Sequence, residues 1–270
     1  MALVYAVIFV FLILVLIINQ KSYWGDNMII TLNFKREITI CLVCVGIAYA
    51  SGHFHKNKAN NHINFDIGSL KKTEIEKINS IDKIIAGRWD ISAKDNGKIF
   101  KDIAIYLIPL SIFFFTGSVK RRLALFSVFS QGYWLTDSLT GLTKGLVNRY
   151  RPFAYITHNE IEKLSLRAKE KFFEDIVDYD IQNSFFSGDA SLTAFGFMFF
   201  AISYSSFYKD SKLKSLIWIL AIIGTLLGCY FRVLSGKHFP TDVLIGGLVG
   251  TAIAFGIIRI HKNASKPIEL

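Results

Sequence analysis

The chain has 270 residues, 52% of them hydrophobic and 14% aromatic, with a mean hydropathy of +0.39. That is too apolar for an ordinary soluble domain and points to an integral membrane protein. The formal charge of +10 raises nucleic acid as a partner. No basic-aromatic groove, zinc-finger spacing or glycine-rich nucleotide loop accompanies it, and basic groups set between apolar runs serve membrane topology and lipid headgroups instead.

In chain order, residues 2–19 are almost wholly apolar and can just span a bilayer. A second pattern opens at Met28: Lys35 and Arg36, a short apolar stretch over 38–47, then Ala48-Tyr49-Ala50. That is the layout of a secretory signal with a small-x-small cleavage site; we read 38–51 as a retained first helix, with the signal as its alternative. Cys41 and Cys44 form C-x-x-C inside this run, where burial in lipid explains them better than redox chemistry, and Cys229 in a later apolar run reads the same way.

Residues 52–101 are polar. His53, His55 and His62 have no acidic or cysteine partner at ligand spacing, so they read as part of a solvated loop and not as a metal site. Leu70, Ile75, Ile78, Ile81 and Ile85 recur at near-helical spacing and predict an amphipathic helix lying on the membrane or capping the bundle.

Five more apolar segments follow, at 102–117, 123–143, 191–208, 215–231 and 243–260. Lys120-Arg121-Arg122, the trio Lys209, Lys212 and Lys214, and the trio Arg259, Lys262 and Lys266 occupy alternate connections. The positive-inside rule makes those three cytoplasmic and turns 144–190 and 232–242 outward. The expected fold is therefore all-α, a polytopic membrane bundle of six transmembrane helices, or seven if 2–19 is kept as a span. It divides into N-terminal hydrophobic segments (1–51), an outward polar and amphipathic segment (52–101) and a membrane-embedded core (102–260).

The outward connections break the charge rule. Lys144, Arg149, Arg151, Arg232 and Lys237 stand where basic residues are scarce, which suggests an anionic ligand. Residues 153–186 carry seven acidic and four basic side chains, a mixture that reads as a solvated helical lid rather than a second site. Asp137, inside an apolar segment, reads as a polar contact to a neighbouring helix or as a support of the site.

Three outward pieces align. In KGLVNRYRP, Lys144 and Arg151 are two helical turns apart and would face one place, with Pro152 ending the helix. In SFFSGDAS, Ser187 and Gly188 precede a helix, whose free N–H groups cradle phosphate. In RVLSGKHFPTD, Arg232 can grip an anion, and His238 can donate one ring N–H to Asp242 while its other nitrogen serves as nucleophile or base.

Together these pieces resemble the signatures of the phosphatidic acid phosphatase type 2 superfamily, K-x6-R-P, P-S-G-H and S-R-x5-H-x3-D. Lys144, Arg151 and Pro152 match the first, Ser187 and Gly188 the second, and Arg232, His238 and Asp242 the third. The resemblance implies a membrane phosphatase with no cofactor or metal, acting on a phosphorylated lipid. Lys144, Arg151, Ser187, Gly188 and Arg232 would bind phosphate, His238 would form a phosphohistidine, and Asp242 would orient its ring. Phe231 and Phe186 replace the family's serine and proline, and Asp189 replaces the histidine that acts as general acid, so Asp189 is the third catalytic candidate. An ionised aspartate has no proton to give; either Asp189 is protonated, or the leaving group needs little help, or the chain only binds headgroups. Some members that resemble lipid A phosphatases also read Gly-Asp-Ala-Ser at this point, a likeness that favours lipid A as substrate, with undecaprenyl diphosphate and phosphatidylglycerol phosphate as alternatives, and phosphoryl transfer between lipids as the rival reaction. The expected setting is a bacterial inner membrane with the site facing the periplasm.

Overall fold

The computed structural model describes residues 29–30, 32–60, 75–115, 119–177 and 179–263. The apolar run 2–19, Leu70, His62 and Lys266 lie outside them, and so does the side chain of His55. The α-helices among the described residues include α1 (Phe34–Asn60), α2 (Ser80–Lys83), α3 (Ile91–Asp102), α4 (Ile108–Phe115), α5 (Val119–Leu146), α6 (His158–Glu162), α7 (Leu166–Val177), α8 (Gly188–Phe207), α9 (Lys214–Leu234) and α10 (Pro240–His261). A wide π turn, Ile103–Leu107, joins α3 and α4 into one rod. A two-residue antiparallel pairing of β1 (Ile29–Ile30) with β2 (Lys262–Asn263) ties the start of the described chain to its end.

The architecture is a helical bundle. Four of its helical stretches are long and apolar enough to cross a membrane: Phe34–Phe54, Gly188–Phe207, Lys214–Leu234 and Pro240–His261. The rod α3–α4 and helix α5 pack among them; α5 is 28 residues long but carries Lys120, Arg121, Arg122, Asp137 and Lys144. Helix α8 is the axis, with 67% of its apolar stretch buried inside the protein against 11% for α1. Helix α10 lies flush on α8 because Gly246 and Gly250 leave room for backbone: a Cβ on Gly246 would stand 2.5 Å from the Ser187 carbonyl oxygen, and one on Gly250 just 1.9 Å from that of Ser191. Small residues four apart allow such close contact between helices in lipid, where van der Waals packing replaces the hydrophobic effect as glue. Phe129, Phe195 and Phe199 fill the adjoining core, each ring centroid within 5.7 Å of the other two.

Two expectations for the polar segment need correction. Helix α1 does not stop near residue 51 but runs to Asn60, so His53 sits on a helix rather than in a loop. The amphipathic helix over the isoleucines does not form across its described part: α2 is one turn capped by Asn79, with Ile81 and Ile84 exposed and only Ile85 buried. The reason is Asp82. Its buried carboxylate accepts from Asn79, Thr241 and Arg149, and these bonds pin the turn to α10 instead of letting it lie on a lipid face.

The lid is packed rather than merely solvated. Phe172 and Ile176 of α7 are buried against Trp89 and Phe153, while Leu166 and Phe173 remain exposed. At the other end of the bundle Glu37 of α1 is fully buried. It accepts from Gln131 of α5 (2.7 Å) and Arg36 (2.6 Å) and meets His261 Nε2 of α10 at 2.8 Å. This network clamps three helices.

Candidate active site

Four helix ends converge on one end of the bundle: the C-termini of α5 and α9 and the N-termini of α8 and α10. Between them lies a cavity of about 320 Å³, lined among others by Lys144, Arg151, Gly188, Asp189, Arg232 and His238. The three sequence pieces thus meet at one place.

The loop that presents His238 is held from beneath. Gly236 has a left-handed φ of +71°, and a Cβ there would stand 1.7 Å from the Arg88 carbonyl oxygen, so only glycine fits. Its own carbonyl accepts from Phe153 N (3.1 Å), and Arg88 Nε donates to the Leu234 carbonyl (2.8 Å). His238 is 1% exposed. Its Nδ1 donates to the Ser184 carbonyl oxygen (2.7 Å), which fixes the tautomer and leaves the lone pair on Nε2, 3.2 Å from Arg151 Nη1. Burial, and then the positive charges of Arg151, Arg232 and Lys144, hold the imidazole well below its ordinary pKa despite the bond to Ser184. The ring is thus held neutral, with its Nε2 lone pair turned toward the cations of the cavity.

Asp242 does not reach the ring directly, contrary to the expectation. It accepts from Ser184 Oγ (2.5 Å), from Phe239 N (3.0 Å) and from Arg149. The aspartate therefore acts through Ser184, fixing the residue whose carbonyl orients His238. Arg149 joins this support rather than the cavity: it also donates to Asp82 (2.6 Å) and Thr241 (2.9 Å) and lies 4.3 Å over the Phe239 ring. Burial would raise the Asp82 carboxyl, but its bonds from Thr241 and Arg149 outweigh that and hold it below the usual range.

Lys144 and Arg151 share the cavity but not a helix. Helix α5 ends at Leu146, and Arg151 arrives on an extended segment whose N–H donates to the Ile181 carbonyl (2.9 Å), beside a bridge between Arg149 and Asn183. Arg151 is 2% exposed, and its Nη1 also donates to the Lys237 carbonyl (2.8 Å). Gly188 opens α8 as expected, facing Thr140 and Lys144. Ser187, the residue before it, is buried, and its hydroxyl caps α8 by accepting from Ala190 N.

Asp189 sits between two cations, 3.1 Å from Arg232 Nη1 and 3.3 Å from Lys101 Nζ. Lys101 and Ser184 were not among the residues picked out from sequence as the site, and Arg149 was picked out only as one of the outward basic groups. Lys101 stands at the head of an apolar run at the cavity end of the bundle, and a basic residue at that position was the available signal. Asp137 lines the cavity too. Lys237, by contrast, turns away to Asp175 of the cap (2.7 Å) and lies 4.8 Å over Phe153. Burial and Arg151 depress its pKa to about 7. Phe231, in place of a serine, stacks on Phe100 at 5.7 Å.

Among the described residues no group of three His, Cys, Asp or Glu side chains is placed to hold a metal ion. No solved structure matches the chain significantly. An undecaprenyl-diphosphatase of Sulfolobus acidocaldarius is 43% identical over 53 residues, which is 19% of this chain and 26% of that protein; the chain thus spans about a quarter of the length of the relative it matches. The PAP2 superfamily model matches residues 123–266, just over half of the chain, and takes in every residue of the three motifs. The chain belongs to the PAP2 superfamily.

Proposed function

We propose that the chain is a metal-independent membrane phosphatase that hydrolyses a phosphorylated lipid through a phosphohistidine on His238. The observation that carries this reading is the pairing of an oriented, neutral His238 with Lys144, Arg151 and Arg232 around a single cavity. Phosphoryl transfer asks a protein chiefly for positioning and for fixed positive charge around the transferring group, and these side chains supply both. Asp242 and Arg149 hold the loop, and the N-terminus of α8 at Gly188 adds backbone donors.

The bundle is read as six spans: α1, the rod α3–α4, α5, α8, α9 and α10. Lys120, Arg121, Arg122, Lys209, Lys212, Lys214, Arg259 and Lys262 fall at the end opposite the cavity, which by the positive-inside rule faces the site to the periplasm of a bacterial inner membrane. For the substrate, Gly188-Asp189-Ala190-Ser191 favours a lipid A phosphate, while the short match to an undecaprenyl-diphosphatase supports an isoprenoid diphosphate. Transfer to a second lipid is the rival outcome of the same intermediate.

Detergent-purified protein, incubated in EDTA with lipid A, undecaprenyl diphosphate or phosphatidylglycerol phosphate, is expected to release inorganic phosphate from at least one of them. His238→Ala is expected to abolish that release, and turnover surviving this substitution would defeat the reading. A phosphorylated acceptor without free phosphate would replace hydrolysis by transfer.

A further inference from the structure

We infer that Lys101 is a catalytic residue, the proton donor to the leaving lipid oxygen, held in place by Asp189; the inference rests on the phosphohistidine reading above. A carboxylate ion-paired with Arg232 and Lys101 (3.1 and 3.3 Å) is an acceptor with nothing to donate. The ammonium beside it, opening on the same cavity as His238, does carry protons.

The backbone delivers Lys101 there. Helices α3 and α8 both start at the cavity end of the bundle, and they touch where Ala104 meets Gly196, a Cβ on which would stand 2.3 Å from the Ala104 carbonyl oxygen. Gly196 lies two turns, about 10 Å, below Asp189, and Lys101 only about 5 Å above Ala104. The four-carbon lysine stem spans the remainder. Gly97, one turn earlier on the same face of α3, packs against the Arg232 stem, with its Cβ position 3.0 Å from Arg232 Cδ. Lys101 and Arg232 thus approach Asp189 from adjacent helices. The π turn that follows, Ile103–Leu107, sets Ile105 and Tyr106 on the cavity wall, and such turns recur at functional sites.

His238 Nε2 bonds to phosphorus while the bond from phosphorus to the lipid oxygen breaks, leaving its electron pair on that oxygen, which takes a proton from Lys101 and departs as the alcohol. The Lys101 amine then accepts a proton from the water that attacks the phosphohistidine. The bond from phosphorus to Nε2 breaks with its electron pair returning to the ring, so phosphate leaves, His238 is again neutral, and Lys101 is again an ammonium.

The test compares dodecyl phosphate, whose alkoxide must be protonated, with p-nitrophenyl phosphate, whose nitrophenolate need not be. Lys101→Met is expected to slow the alkyl ester by about a hundredfold or more, the scale of a lost general acid, and the nitrophenyl ester by less than about tenfold. Lys101→Arg, which keeps the charge but not a transferable proton, is expected to show the same selectivity, so a role in charge or folding alone is separated from proton donation. Equal losses on both esters, full activity of Lys101→Met, or rescue of the alkyl ester by arginine would overturn the assignment. His238→Ala runs alongside: if it retains turnover, the phosphohistidine reading itself has failed, whereas its inactivity with unselective Lys101 variants condemns only Lys101.

Discussion

His238 shows how the tautomer and charge of one side chain are set by what surrounds it. The Ser184 carbonyl sets the tautomer, and burial with Arg151, Arg232 and Lys144 keeps the ring unprotonated. Because those cations disfavour a charged imidazole, the acid limb of the kcat/KM profile is expected below the ordinary histidine range. Replacing Arg151 by glutamine removes one of them, so the His238 pKa rises; the limb is expected to move to higher pH while the plateau falls, which a pH–rate profile reads directly. Asp242→Asn tests the indirect support. It weakens the grip on Ser184 and Arg149 without touching the cavity's cations, so kcat is expected to fall about a hundredfold with little change in KM, the scale of a misplaced reacting group.

At the scale of elements, the site depends on how closely α8 and α10 approach. Gly250→Val would drive a side chain into the Ser191 backbone, at an expected cost of about 1–3 kcal/mol from overpacking. Because α10 also carries Asp242, and the loop before it His238, activity is expected to fall alongside; thermal unfolding in detergent and phosphate release measure the two losses. The opposite end makes a cleaner stability test. Glu37→Ala leaves His261, Gln131 and Arg36 without their shared acceptor in a buried setting. The expected loss is about 3 kcal/mol or more, as when one partner of a buried pair is removed. Since this network lies at the far end from the cavity, denaturant unfolding is expected to change more than KM does.

Among the described residues the cavity and the cap formed by α6 and α7 lie at one end of the bundle, and Lys120, Arg121, Arg122, Lys209, Lys212, Lys214, Arg259 and Lys262 lie at the other. In a chain whose native cysteines are replaced, a single cysteine at exposed Leu166 of the cap is expected to react with a membrane-impermeant maleimide added to cells whose outer membrane has been permeabilised. One at Lys212 is expected to react only after lysis. The reverse pattern would invert the orientation and move the chemistry to the cytoplasm.

The motif residues were legible in the sequence because phosphoryl chemistry demands particular residue types at fixed spacings: Lys144 and Arg151, Gly188, then Arg232, His238 and Asp242. Apolar run length located α5, α8, α9 and α10 to within a few residues, but it cut α1 short of Asn60 and missed the polar start of the rod α3–α4 at Ile91. What the chain order concealed was set by contacts between distant segments. Arg151 reaches the cavity by pairing with the stretch around Ile181 rather than by continuing α5. Asp82 cancels an amphipathic helix by bonding to Thr241 and Arg149, and Ser184 interposes itself between Asp242 and the histidine. Lys101, outside every motif, meets Asp189 only because a glycine on α8 lets the π turn at Ala104 lie against it. Spacing along a chain encodes which groups a local element can aim together; which carboxylate ends up beside which cation is decided by packing between elements, and only the tertiary structure carries that.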